Sequence, residues 1–276
     1  MPVFLFLAAV LGGALNSVAG GGSFIALPAL LFAGVSPVAA NATATLALWP
    51  GAVSSAVAYR REIELKGRRL ILLAGVSLVG GLLGAMLLVR TSDTSFMRLL
   101  PWLMLAAAVT FTFGGGKRSR EARRREVATE PPSHRDRHVR ARGLGDFVPP
   151  WQTDSVPRSQ NLALLLLSQF AIAIYGGYFG GGMGIMMLAT LAIGGMTDIH
   201  GMNGLKAILG TVINGVALVE FVATGSVAWA PGLVMAAGGL IGGYSGASIA
   251  RHMARAHIRI FVVAIAWIMT IYFFLR

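Results

Sequence analysis

Two runs of three glycines, Gly20, Gly21 and Gly22 followed by Ser23, and Gly180, Gly181 and Gly182, each interrupt a strongly apolar stretch. In a bilayer a helix satisfies its own backbone groups. A glycine run leaves N–H and C=O groups free, and only protein or a watered cavity can cover them. A helix that restarts after such a run presents free N–H groups and a partial positive charge, with no side chain to block approach. The chemistry on offer is the holding of a small anion by dipoles. A second reading stays open, in which the glycines only let two helices cross closely.

The other candidates flank these runs. Asn203, Lys206, Gly210 and Asn214 fall at i, i+3, i+7 and i+11, one stripe of a helix. Asn41, Thr45 and Ala52 make the corresponding stripe in the first half. Polar side chains in a membrane face the protein interior, so the asparagines contact either a ligand or a neighbouring helix. Lys206 lies inside a predicted span. It is either the fixed counter-charge for an anion or a side chain that snorkels to the interface. Glu220 is a carboxylate within an apolar segment, either a proton relay or an interfacial group near its helix end. Asp198, His200, His252 and His257 lie in turns without metal-ligand spacing. The sequence contains no nucleophile–base–acid arrangement and no P-loop, and the glycine runs follow no strand, as a dinucleotide fingerprint would require. The expectation is therefore no catalytic residue, no metal, no cofactor and no enzyme.

The elements that must position these residues are helices in a membrane. Of 276 residues, 55% are hydrophobic and 12% charged, with mean hydropathy +0.71; a soluble domain carries about 25% charged residues. The net charge of +12 lies mostly between apolar runs, as in the cytoplasmic loops of membrane proteins, which argues against nucleic acid as a partner. There is no cysteine, hence no disulfide or thiolate chemistry. The first residues, Met1 to Phe6, lack the basic region of a signal peptide and are read as part of the fold.

Residues 3–18 and 23–33 flank the first glycine run, and 159–178 and 183–194 the second. The shorter pieces are half-helices, since a span needs about 20 residues. Spans are predicted over 38–59, 70–89, 96–113, 203–223, 229–250 and 260–275. Residues 114–158 are basic, proline-containing and aperiodic, and read as a disordered cytoplasmic linker. The chain thus divides into a first repeat (1–113), the linker (114–158) and a second repeat (159–276). Gly80-Gly81-Leu82-Leu83-Gly84-Ala85 matches Gly242-Gly243-Tyr244-Ser245-Gly246-Ala247, and Asn41 matches Asn203, at one common offset. The small-xxx-small pairs in these segments fit close helix packing.

Charge bears on the geometry of the repeats. The loop from Arg60 to Arg69 is basic and its counterpart at 224–228 uncharged, whereas 90–95 is nearly neutral and 251–259 basic. A bias that swaps between halves favours inverted repeats, with the linker and the loops at 60–69 and 251–259 cytoplasmic. Each glycine-broken unit is then a hairpin that enters and leaves on one side. Eight simple spans are the rival arrangement. The fold expected is an all-α polytopic membrane protein of two repeats, each a broken hairpin followed by three spanning helices.

The segment from Ala19 to Leu31, then Pro37 and the Asn41–Thr45 helix, resembles the TauE/SafE family. The second half carries the same likeness in residues 176–188, in Asn203-Gly204-Leu205-Lys206 and in Asn214-Gly215. The resemblance implies a permease of the bacterial inner membrane that exports sulfite, sulfoacetate or a related sulfur-containing anion. Such a secondary transporter would bind its substrate between the two glycine breaks and expose it alternately to each side. A channel, or a carrier of another small anion, is the alternative. The partners expected are the anion and the lipid bilayer; a homodimer is left open.

Overall fold

A computed structural model describes residues 1–59, 67–113, 162–194, 196, 198–249 and 255–275. Among them it has ten helices and no strand: α1 (Pro2–Ala19), α2 (Ser23–Phe32), α3 (Pro37–Ala58), α4 (Arg68–Arg90), α5 (Asp93–Phe113), α6 (Leu162–Tyr178), α7 (Met183–Ile193), α8 (Ile199–Ala223), α9 (Trp229–Ile249) and α10 (Arg255–Leu275). Helices cover the described parts of the expected spans and half-helices, with ends shifted by a few residues. The linker 114–158, most of the basic loop at 60–69 and residues 251–254 lie outside the described residues.

Local chemistry sets the helix ends. Pro2 and Pro37 open α1 and α3, where the missing N–H costs nothing. Gly20 closes α1 in the left-handed region (φ 76°), its N–H bonded to the Asn16 carbonyl at 3.0 Å. Asp93 at the start of α5 accepts a bond from the Val38 N–H at 2.8 Å and so caps α3 from a neighbouring helix. Thr43 Oγ1 likewise accepts from the Ala228 N–H at 3.0 Å, at the start of α9. By length and composition, α4, most of α5 and residues Gly201–Ala223 of α8 can each cross a membrane. Helix α3, at 22 residues, reaches about 33 Å but carries Asn41, Thr43, Thr45 and two serines.

The glycine-rich helices pack in an exchanged pattern. Gly238, Gly242 and Gly246 of α9 lie against Phe6, Val10 and Ala14 of α1, so these two helices run parallel. Gly80 of α4 lies against Phe170 and Ala173, and Gly84 against Ile174 and Tyr178, so α4 and α6 are parallel too. Each small-residue helix therefore seats on the first helix of the other half's hairpin. A Cβ at Gly242 would overlap the Val10 carbonyl oxygen, and one at Gly84 the Ile174 carbonyl oxygen. Backbone meets backbone here, as small-xxx-small packing requires. Helices α3 and α9 are also parallel, with Thr43 against Gly232 and Gly51 against Gly243. Helices α5 and α10 run antiparallel: Trp102 stacks edge-on with Phe274, and Trp267 Nε1 donates to Thr112 Oγ1 at 3.0 Å. The core between these helices includes the fully buried Phe24, Phe96, Phe111, Phe179 and Phe221.

Candidate functional site

The two glycine breaks meet. Helices α1 and α2 form one hairpin, in which Gly22 packs on Gly12 and Asn16; α6 and α7 form the other. The Gly182 N–H donates to the Gly20 carbonyl at 3.3 Å and ties the two tips together. A Cβ at Gly20 would lie 3.1 Å from the Gly184 Cα, and one at Gly180 would lie 3.9 Å from both Ser23 Oγ and Asn214 Oδ1. Gly180 and Gly182 have φ of 77° and 82°, a region only glycine enters freely. Tyr175 steadies the second tip: its hydroxyl lies 2.7 Å from the Gly181 carbonyl and 3.2 Å from that of Leu103, sharing one proton between them.

Beside the joined tips lies a cavity of about 40 Å³. At roughly 10–15 Å³ per water position, that is room for about three waters or one small oxyanion. Gly20, Met183 and Gly184 form the tip side. Asn203, Lys206 and Asn214 face in from α8, Ser55 from α3, Tyr59 from the cap of that helix, and Asn16 and Ser17 from α1. The serine hydroxyls donate to carbonyls of their own helices, Ser17 to Ala14 and Ser55 to Gly51, both at 2.9 Å. They can still accept, but they are not free donors.

Lys206 sets the electrostatics of the site. It is 7% exposed, and its Nζ has no hydrogen-bond partner among the described residues. The described lining contains no aspartate or glutamate. Taking an ammonium out of water costs several kcal/mol unless an opposite charge or good acceptors replace the lost solvation. An anion in the cavity would supply that charge, and the Asn203 and Asn214 amides could donate beside the ammonium. The snorkelling alternative for Lys206 is not what the structure shows, because the side chain stays inside.

The structure sorts the residues selected from sequence into three groups. Gly20, Asn203, Lys206 and Asn214 line the cavity. Gly180, Gly182 and Ser23 sit at the contact between tips, with Gly21, Gly22 and Gly181 behind it: the Gly21 and Gly22 carbonyls accept from the first turn of α2, and the Gly181 carbonyl accepts from Tyr175. Asn41, Thr45 and Glu220 lie off the cavity. Asn41 Nδ2 donates to the Tyr178 carbonyl at 3.0 Å, and Thr45 Oγ1 donates to the Asn41 carbonyl at 3.1 Å. Glu220 is half-buried near the end of α8. Sequence reasoning passed over Asn16, Ser17, Ser55, Tyr59, Met183 and Met187 as site residues. Ser55 and Tyr59 follow Ala52 at i+3 and i+7, so continuing that stripe along α3 would have found them.

A set of apolar helices built around two broken hairpins, whose tips meet beside a buried lysine without a partner among the described residues, has the architecture of a multi-pass membrane transport protein. Residues 5–273 match the family model described as "Sulfite exporter TauE/SafE", and the chain belongs to that family. It is 27% identical over 267 residues to a "Probable membrane transporter protein" of Haemophilus influenzae, covering 96% of this chain and 91% of that one. It is 26% identical over 269 residues to the "Probable membrane transporter protein YfcA" of Escherichia coli K12, covering 96% and 87%. A shorter match, 34% identical over 108 residues, is to the "Probable membrane transporter protein ORF9" of a Sinorhizobium species, covering 39% and 41%. No solved structure matches the chain.

Proposed function

We propose that this protein is a secondary transporter that exports a small sulfur-containing anion across the bacterial inner membrane, binding it in the cavity beside Lys206. The observation that carries this reading is the lysine itself, buried and unpartnered among the described residues, in a cavity whose described lining holds no carboxylate. The meeting of the two broken hairpins at that cavity adds the arrangement expected of a carrier's central site. In this reading residues 1–113 and 159–276 are inverted repeats that expose the site alternately to each side. The helix directions support it. Helices α1, α3 and α9 run parallel, so the first hairpin starts at the face where α3 starts. Helix α6 runs with α4, so the second hairpin starts at the opposite face. The face where Arg68 and Arg69 open α4 is then cytoplasmic. Export of a monoanion runs downhill in an inside-negative potential, by about 2.3 kcal/mol per charge per 100 mV.

The test is uptake of labelled sulfite, sulfoacetate, thiosulfate and sulfate into vesicles holding the purified protein. Saturable counterflow of at least one is expected. A protein shown to be folded that moves none of the four would remove the sulfur-anion reading, and single-channel currents in place of counterflow would replace the carrier by a pore.

A further inference from the structure

The described wall of the cavity carries one formal charge. Lys206 supplies it, and the other lining residues are glycine, alanine, serine, asparagine, methionine and tyrosine. The corresponding position of α3, at the offset that relates Asn41 to Asn203, is Ala44, which is buried at 1% exposure. The second half-site therefore has no lysine to add. Ser17 and Ser55 are engaged with their own helices, which leaves neutral donors, the asparagine amides and the Tyr59 hydroxyl, to assist a single ammonium. Such a site neutralises one negative charge and leaves a second one uncompensated in a medium where that is expensive.

We propose that the cavity takes monoanions in one-to-one charge compensation with Lys206, so that the loaded carrier crosses the membrane field neutral and the empty carrier crosses it as a cation. This rests on the carrier reading above. The charge balance of a cycle is complete: the empty site is +1, the loaded site is 0, and one turn of export moves one negative charge outward. The whole of that charge movement falls on the return of the empty site. An inside-negative potential draws the cationic site back toward the inner face, and so drives the resetting step and not the passage of substrate. The two methionines on the wall, Met183 and Met187, offer no donor to a second anionic oxygen and suit the apolar end of a small organic monoanion.

The experiment uses the full-length protein in proteoliposomes whose potential is clamped with potassium and valinomycin. The probes are labelled methanesulfonate, a permanent monoanion, and sulfate, a dianion. Methanesulfonate homoexchange, which never needs the empty carrier to return, is expected to be flat between 0 and −100 mV. Net methanesulfonate efflux, which does need it, is expected to rise about sevenfold over the same range when half the field energy acts on the barrier. The sign is the same for either orientation of the protein in the vesicle. Sulfate exchange is expected to be at least about tenfold slower than methanesulfonate exchange. Lys206→Arg, which keeps the charge, should keep the flat-against-rising pattern. Exchange that varies with voltage as efflux does, efflux that stays flat, or exchange of sulfate in preference to methanesulfonate overturns this inference while the carrier stands. Absence of saturable exchange of either probe by folded protein removes the inference too; if none of the four sulfur anions tested above moves either, the carrier reading falls with it.

Discussion

Helices α3 and α8 carry the same asparagine at corresponding places and end in opposite situations. Asn203 faces a cavity one turn from an unpartnered lysine. Asn41 is 2% exposed, and its amide is held by the Tyr178 carbonyl at the end of the other half's hairpin. Around Asn203 the wall is asparagine, serine and lysine; on α3 the buried residues that follow Asn41 include Ala44, Ala47 and Leu48. The difference teaches which parts of the duplication are structural and which are chemical. The glycine breaks and the small-residue helices are present twice and lock the two halves together. The charge is present once. Among the described residues, a duplicated frame surrounds a cavity whose wall carries a single ammonium.

The largest effect on that comparison should come from Lys206→Met. Methionine has a similar length and no charge, so it removes the buried ammonium without opening a large hole. Transport should fall by two orders of magnitude or more, on the scale of roughly 3–5 kcal/mol for breaking a buried ion pair. Thermal stability of the substrate-free protein should rise, because an unpaired buried charge has gone. The opposite signs are the signature, read by vesicle uptake and by the melting midpoint in detergent. A lower midpoint with transport retained would make the lysine a structural residue and leave the cavity without its anion contact.

A pair of alanine substitutions should then separate the two asparagines. Asn41→Ala strands the buried Tyr178 carbonyl and should cost about 1–3 kcal/mol of stability, with substrate affinity changed less. Asn203→Ala should change the melting midpoint little and weaken anion affinity by roughly tenfold or more, as expected for a hydrogen bond to a charged group. Midpoints and half-saturating concentrations measured on both variants check this. Equal losses of affinity would mean that both half-sites contact substrate at once.

Much of the frame was legible because a bilayer makes helices a local matter. An apolar run must bond its own backbone, so hydropathy alone locates α4, α5 and α8, and the glycine runs mark where that bonding fails. The joining of Gly20 to Gly182 followed from the same two breaks taken as a pair. The partners of the small-residue helices were not legible. Gly84 seats on Ile174 and Gly242 on Val10, contacts that depend on matching flat surfaces far apart in sequence. Which of its two readings Asn41 would take, ligand or neighbouring helix, was not legible for the same reason. A polar residue inside a membrane signals only that it faces protein, and its acceptor lies 137 residues away. Asn16 and Ser17 stand in the last turn of α1 before the first glycines, yet their place on the cavity wall depends on where α8 and the second hairpin pack against that turn.

The smallest effect is expected at Thr45, and it sharpens the comparison by bounding the closed side. Its hydroxyl donates to the Asn41 carbonyl of its own helix at 3.1 Å, a bond that helical threonines make wherever they have no better acceptor. Valine keeps the shape and loses that bond. The carbonyl it releases is still the natural acceptor of its own helical turn, so Thr45→Val should shift stability by about 0.5 kcal/mol or less and transport by less than about twofold. Thr45 is not among the residues that line the cavity beside Lys206. If the carrier proposed above exchanges the roles of its two halves, Thr45, at the offset that relates Asn41 to Asn203, would take the place on the wall that Ala207 holds now. Unchanged transport of methanesulfonate from both faces of oriented vesicles would confine anion contact to the α8 side. A loss confined to one face would show that the closed half of the duplication opens and takes its turn at the substrate.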